Sequence, residues 1–231
     1  MPRNSNAIIR MAKSGRMRHN LTYKNQEMDE RNDFEKQYDG LSEFYEGQNE
    51  EDDNLKNILQ ILEPKSKILD LGCGVGHDSN AFMAAGMDVI GIDFSSELIE
   101  KARELYPGVN IQAADFLRTD FGEIKFDLVW CKFVFHHIPY CLNDTFIETV
   151  KKILKPNGLF YLATMVAEQE LDGWVKMDWE TKKGNVATNT YWKAMTKEKM
   201  ENLLKKHKFD IIEKNFTEDK GIEYVLCRNR G

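Results

Sequence analysis

The chain has no apolar run of the ~18 residues that a membrane-crossing helix requires, and no charged leader followed by an apolar h-region. Spanning and secretory readings fall away, and a soluble cytoplasmic protein is the expectation. Cysteine is scarce as well: Cys73, Cys131, Cys141 and Cys227 are widely scattered, with no CxxC and no metal-ligand spacing. A disulfide framework and a zinc site are excluded on that pattern, and no metal is expected. An excess of positive charge is also missing, since 32 Lys and Arg stand against 38 Asp and Glu for a formal charge of −6. A general nucleic-acid binder needs a basic face to neutralise phosphates, so neither nucleic acid nor membrane is an expected partner.

What is present is a chain of 231 residues, 42% hydrophobic, long enough for one large domain with a real core. Its charge is uneven. Residues 1–26 carry six Lys and Arg and no acid, whereas 27–53 carry twelve acids against Arg31 and Lys36. The expected division is a basic N-terminal arm at 1–26 and one domain at 27–231. The arm reads either as a solvated tail or as a lid or docking element.

From residue 53 onward, short apolar runs alternate with helical patterns. Leu55, Ile58, Leu59 and Leu62 recur at helical spacing ahead of Pro64. Strands are expected at 67–72, 88–93, 109–115, 126–135 and 158–166. Helices are expected at 78–85, at 95–105 behind Ser95 or Ser96, and at about 145–155, where Thr145 and Glu148 have capping-box spacing. Alternation of this kind predicts an α/β fold, a doubly wound parallel sheet whose ligand lies outside the carboxyl ends of the strands.

Those strand ends carry the informative residues. Gly72, Gly74 and Gly76 follow the first strand in ILDLGCGVG, and Asp70 precedes them. Bare backbone there permits a tight turn and close approach of a ligand. The spacing is GxGxG rather than the GxGxxG of dinucleotide sites. An acid at 70 repels a pyrophosphate but suits an ammonium, as in S-adenosylmethionine. Asp93 ends the second strand, where a carboxylate can accept two ribose hydroxyls, and a helix cap is the other reading. Asp115 and Phe116 end the third, suited to an adenine amine and ring face, or to a plain turn. The fourth strand leads through Cys131 to His136 and His137.

Taken in order, Asp70 to Gly76, Asp93, Ala114 to Phe116, FDLVWC with FHHI, and LKPNGLF at 154–160 resemble the motifs of the class I S-adenosylmethionine-dependent methyltransferases. The resemblance covers roughly residues 34–165 and implies a seven-stranded, mostly parallel sheet with an antiparallel last strand. FDIIEKNF (209–216) and GIEYVLCRN (221–229) fit its closing hairpin. It implies that Asp70 and the backbone of Gly72, Cys73, Gly74 and Gly76 hold the methionine moiety. It further implies Asp93 with Phe94 at the ribose, Asp115 with Phe116 at the adenine, and Cys131 at the methionine end. Tyr38 and Tyr45 resemble aromatics that cover the cofactor, although Phe34, Tyr38, Leu41 and Tyr45 also have the spacing of a packed helix face.

S-adenosylmethionine, with S-adenosylhomocysteine as product, is then the expected cofactor. The expected reaction is methylation of a small molecule or peptide, with O-methylation of a hydroxyl or carboxylate ahead of N-methylation. A protein that binds the cofactor without catalysis is the remaining alternative within this fold. For a hydroxyl acceptor, His136 or His137 is the candidate catalytic base, His136 first, against a role in bracing the loop. Residues 167–195 hold three of the four tryptophans with Tyr191, Lys176, Lys182 and Lys183, in a polar and broken stretch expected to form an acceptor lid.

Overall fold

The computed structural model describes residues 37–38, 40–47, 52–181, 184–218 and 221–231. The basic arm at 1–26, Phe34, Lys182 and Lys183 lie outside them. The strands are β1 (Lys67–Leu71), β2 (Asp88–Asp93), β3 (Ile111–Ala113), β4 (Phe126–Lys132), β5 (Leu154–Met165), β6 (Leu171–Thr181), β7 (Gly184–Ala194), β8 (Phe209–Thr217) and β9 (Ile222–Asn229). The helices are α1 (Ser42–Glu46), α2 (Asp53–Ile61), α3 (His77–Ala84), α4 (Ser96–Leu105), α5 (Asn143–Ile153) and α6 (Lys197–Lys206).

Seven strands form one sheet in the order β3-β2-β1-β4-β5-β9-β8. The first five pair in parallel, and β9 runs antiparallel to both β5 and β8. This is the mostly parallel sheet with an antiparallel last strand that the motifs imply. Strands buried on both faces alternate their side chains between two cores. Leu69, Leu71, Val129, Cys131, Phe160 and Leu162 meet Phe146, Ile147, Met200 and Leu204 of α5 and α6. Ile68, Leu128, Trp130, Tyr161 and Ala163 meet Leu55, Ile58 and Phe82 of α2 and α3. Each fully buried side chain of this size contributes about 1.5–3 kcal/mol, so the two layers fix the level at which the strand ends emerge.

The helix starts were partly legible. The Ser95 hydroxyl accepts the Leu98 amide at 3.3 Å and opens α4. The Thr145 and Glu148 spacing is not a cap: α5 begins at Asn143 behind Leu142, which makes no side-chain cap. Thr145 is already inside the helix, where its carbonyl accepts the Thr149 hydroxyl.

The segment at 167–195 is more regular than its composition suggests. β6 and β7 pair antiparallel from Leu171 with Ala194 to Thr181 with Gly184. Met177 and Trp179 of this hairpin bury against Leu41, with Tyr38, Phe44, Tyr45 and Trp192 around them. The hairpin therefore clasps the segment around α1, which crosses the carboxyl ends of the strands.

Candidate active site

The glycine turn is fixed from both sides. Ile92 accepts the amides of Gly72 and Cys73 at 2.8 and 2.9 Å. Asp93 Oδ2 accepts the Gly74 amide at 2.9 Å, and its Oδ1 accepts the Ser95 amide at 2.9 Å. Asp93 is thus a turn acid and the neighbour of a helix cap at once. Two of the glycines are needed for different reasons. A Cβ on Gly72 would stand 2.0 Å from Val134 Cγ2, a direct clash. Gly74 has φ +53 and opens on space with nothing within 4 Å of a Cβ, so its backbone faces room for a ligand.

Asp70 is 3% exposed, and the Ser79 hydroxyl donates to it at 2.6 Å. Burial, then the charge of Asp78, pushes its carboxyl up to about 7. Burial also raises Asp93, opposed by the amides of Ser95, Gly74 and Phe94. Two acids raised in this way beside open backbone fit a cationic, hydroxyl-bearing ligand, and the ammonium, sulfonium and ribose of S-adenosylmethionine meet that requirement. The Cys73 side chain packs against the α4 cluster of Ile99 and Ala102, with its thiol 3.9 Å from the Gly74 carbonyl.

A cover lies over this space. His77, the first residue of α3, has Nδ1 2.7 Å from the Tyr106 hydroxyl and Nε2 3.1 and 3.2 Å from the carbonyls of Tyr45 and Glu46. Carbonyls only accept, so Nε2 carries the hydrogen and Nδ1 accepts from Tyr106. Tyr38 and Tyr45 are half-buried near Asp93. Burial raises both phenols, with Tyr45 and then Asp93 adding to Tyr38 and Asp93 adding to Tyr45.

Past β4 the chain turns through Phe135–His137. His137 Nδ1 lies 2.8 Å from the Tyr191 carbonyl, so that nitrogen carries the hydrogen. Burial, then Lys193, holds His137 down at about 3, and burial, then His137, keeps His136 well below its ordinary value. Both rings are neutral near pH 7. His136 stacks on Trp192 at 4.6 Å, and Tyr38 meets His137 edge-on at 5.8 Å. His136 Nδ1 and Trp192 Nε1 are both buried with no hydrogen-bond partner among the described residues.

The remaining sequence candidates sit as follows. Asp115 accepts the Leu117 amide at 3.0 Å and faces Arg118 at 3.6 Å. The ring of Phe116 packs into the α5-side core, 5.2 Å from Phe146. Phe94 is half-buried beside Asp93. Cys131 is fully buried, its thiol raised by burial and then by Asp70. The structure thus brings Asp70, Gly74, Asp93, Tyr38 and Tyr45 together and sets the two histidines against the hairpin. Sequence reasoning assigned no role to His77 or Lys193. Lys193 is 1% exposed, donates to Asn143 Oδ1, and lies 3.7 Å over the Phe135 ring. Burial lowers its ammonium to about 7. Among the described residues, no helix is long and apolar enough to cross a membrane and no His, Cys, Asp and Glu cluster suits a metal.

Comparison with known proteins agrees with this geometry. The family described as "Methyltransferase domain" matches residues 62–208. A ubiquinone biosynthesis O-methyltransferase of Actinobacillus pleuropneumoniae is 33% identical over 109 residues, 43% of this chain and 45% of that protein. The chain therefore aligns with a little under half the length of that relative. An uncharacterised methyltransferase of Synechocystis sp. is 25% identical over 179 residues, 75% of this chain and 80% of that protein. Among solved structures, the CcbJ methyltransferase of Streptomyces caelestis superposes with a TM-score of 0.68 at 14% identity, over 84% of this chain and 98% of that one. A Burkholderia thailandensis 1,6-didemethyltoxoflavin-N1-methyltransferase, solved with bound 1,6-didemethyltoxoflavin and S-adenosylhomocysteine, gives 0.59 at 17% identity over 99% and 88%.

Proposed function

The chain belongs to the methyltransferase domain family, and on that premise we propose that it is an S-adenosylmethionine-dependent methyltransferase acting on a hydroxyl oxygen of a small molecule or peptide. The observation that carries this reading is the pair of unpartnered polar atoms at His136 Nδ1 and Trp192 Nε1 on stacked rings. With its hydrogen on Nε2, His136 offers Nδ1 as an acceptor, while the Trp192 indole donates. A hydroxyl satisfies both at once, giving its proton to the neutral imidazole and accepting from the indole. A carboxylate would want a cation instead, and the ammonium of Lys193 is engaged with Asn143 and Phe135.

S-adenosylmethionine supplies an electrophilic methyl group on a sulfonium. In this reading Asp70 and the amides from Gly72 to Gly76 would hold its methionine end, Asp93 its ribose and Asp115 its adenine. Tyr38 and Tyr45 would exclude water, leaving alignment of the acceptor as the main source of acceleration. His136 would take the acceptor proton, and the hairpin at 171–194 would form the acceptor lid, with the arm at 1–26 as a second contributor.

Titration calorimetry with S-adenosylmethionine, S-adenosylhomocysteine and NADH tests the cofactor site. The sulfur ligands are expected to bind, NADH not to bind, and Asp93→Ala to abolish binding. Failure of both sulfur ligands would remove the reading at its root. His136→Ala should keep cofactor affinity within a few-fold and lower turnover at least ~100-fold, and an unchanged rate would end its role as base.

A further inference from the structure

A cleft open to solvent lies on the α2 side of the sheet, between α2 and the strands β5, β8 and β9. It encloses about 220 Å³ between Asn54, Asn57 and Gln60 of α2, Glu213 and Asn215 of β8, and Tyr161 of β5. Tyr161 is 3% exposed, and its hydroxyl has no hydrogen-bond partner among the described residues. Its ring cannot turn away, because it stacks on Trp130 at 3.8 Å and 9°. An orphaned buried hydroxyl is costly and marks a place where a ligand group would be stabilised.

Charge and size narrow that ligand. Among the described residues no Lys or Arg lines the cavity, so an anion has no counter-charge among them. After burial, the charges of Asp52, Asp78 and Glu213 are among the causes that raise the Tyr161 phenol, so the cavity lies within the field of three carboxylates. Lys132 pairs with Asp52 at 3.0 Å and Asp78 at 2.6 Å, leaving a net negative field. The amide oxygens, the carboxylate and the phenol oxygen are all acceptors for N–H groups. Ile61, 56% exposed at the rim, offers an apolar surface to an alkyl stem. The volume is below the ~300 Å³ at which drug-sized pockets begin, so it suits a group about as large as one side chain.

We propose that this cavity is a binding site for a small alkylguanidinium or alkylammonium cation, held by Glu213, the α2 amides and the Tyr161 hydroxyl. It is separate from the methyl-transfer site and independent of the acceptor assigned there.

Calorimetry of the full chain with agmatine tests the site. Glu213→Gln removes the counter-charge, and Tyr161→Phe removes only the hydroxyl while keeping the stack on Trp130. Each is expected to weaken agmatine at least about 10-fold, with S-adenosylhomocysteine affinity unchanged and the melting temperature not lowered. Asp93→Ala should leave agmatine binding as it was. The proposal is overturned if agmatine gives no binding at ~10 mM, a concentration that would reveal even the weakest specific site. It is equally overturned if both variants bind agmatine as the native chain does, or if neutral glucose binds more tightly than agmatine.

Discussion

His77 Nδ1 accepts the Tyr106 hydroxyl at 2.7 Å while the opposite nitrogen donates to the carbonyls of Tyr45 and Glu46. One imidazole therefore ties the start of α3 to the cover carrying Tyr38 and Tyr45. The Gly40 amide, given to Glu97 at 2.7 Å, and the Lys101 pair with Glu46 at 3.2 Å hold the same segment from α4.

His77→Ala removes the strut and leaves those two outer ties. With about 1 kcal/mol per hydrogen bond, the dissociation constant for S-adenosylhomocysteine should rise about 10-fold. Turnover at saturating cofactor should hardly change, because nothing at His136 is touched. Calorimetry and steady-state rates separate the two effects, and unchanged cofactor affinity would detach the cover from the cofactor site.

The glycine turn gives a paired test. Gly72→Ala meets Val134 at 2.0 Å from a left-handed backbone, so strain and overpacking add. It should cost about 2–6 kcal/mol in urea unfolding. Gly74→Ala meets nothing within 4 Å and should cost only about 1–2 kcal/mol, the strain of its φ. The order reverses for function: the milder Gly74→Ala chain should fold and yet lose cofactor affinity, because its methyl enters the space beside Asp93. Equal loss of stability in both would contradict the assignment of open space to Gly74.

Asp70 makes stability and binding pH-dependent in opposite directions. Its carboxyl is raised from 3.8 to about 7, so between those values the folded chain holds a proton that the unfolded chain has released. Its contribution is complete below the lower value and is lost as pH rises through about 7. The ligand-free melting temperature should fall across that window, and Asp70→Asn should flatten the fall. A cofactor ammonium favours the carboxylate, so affinity should instead rise from pH 6 to 8 with proton uptake by the buffer. Identical pH profiles for the native chain and Asp70→Asn would exclude both effects.

The strand ends were legible because the pattern behind them is local: an apolar run gives way to an acid or a glycine turn, as at Asp70, Gly72 and Asp93. The mostly parallel sheet with its antiparallel last strand followed from the motifs, and the order of the strands in it did not. What could not be read was carried by partners far away in the chain. His77 acquires its role from Tyr45 and Tyr106, 32 and 29 residues distant. The β6 and β7 strands looked like a polar loop because what buries them is distant in the chain: the α1 segment packs on Met177 and Trp179, and Phe135 and Tyr140 pack on Lys193. Thr145 and Glu148 misled for the opposite reason, since a correct local spacing lost to a helix that had started at Asn143.

Lys193 is the most testable of those hidden residues. It is buried at the base of the hairpin, facing Asp172 across the strand pair, Asn143 of α5, and the thiols of Cys131 and Cys141. Burial lowers its ammonium from 10.5 to about 7, so between these values the unfolded chain holds a proton that the folded chain lacks. Its contribution to stability is present above the upper value and is lost as pH falls through about 7. Lys193→Met keeps the length of the side chain and removes the charge, at the cost of leaving Asn143 one partner short, about 1 kcal/mol. Replacing a buried charge by an apolar group of similar shape returns about 1–4 kcal/mol, so the gain should prevail where the lysine is charged. The variant should therefore melt higher than the native chain at pH 6, with the difference narrowing as pH rises toward 10.5. A variant that melts lower at both pH values would instead make the ammonium a paired stabilising group, and the Asn143 contact would outweigh the burial of the charge.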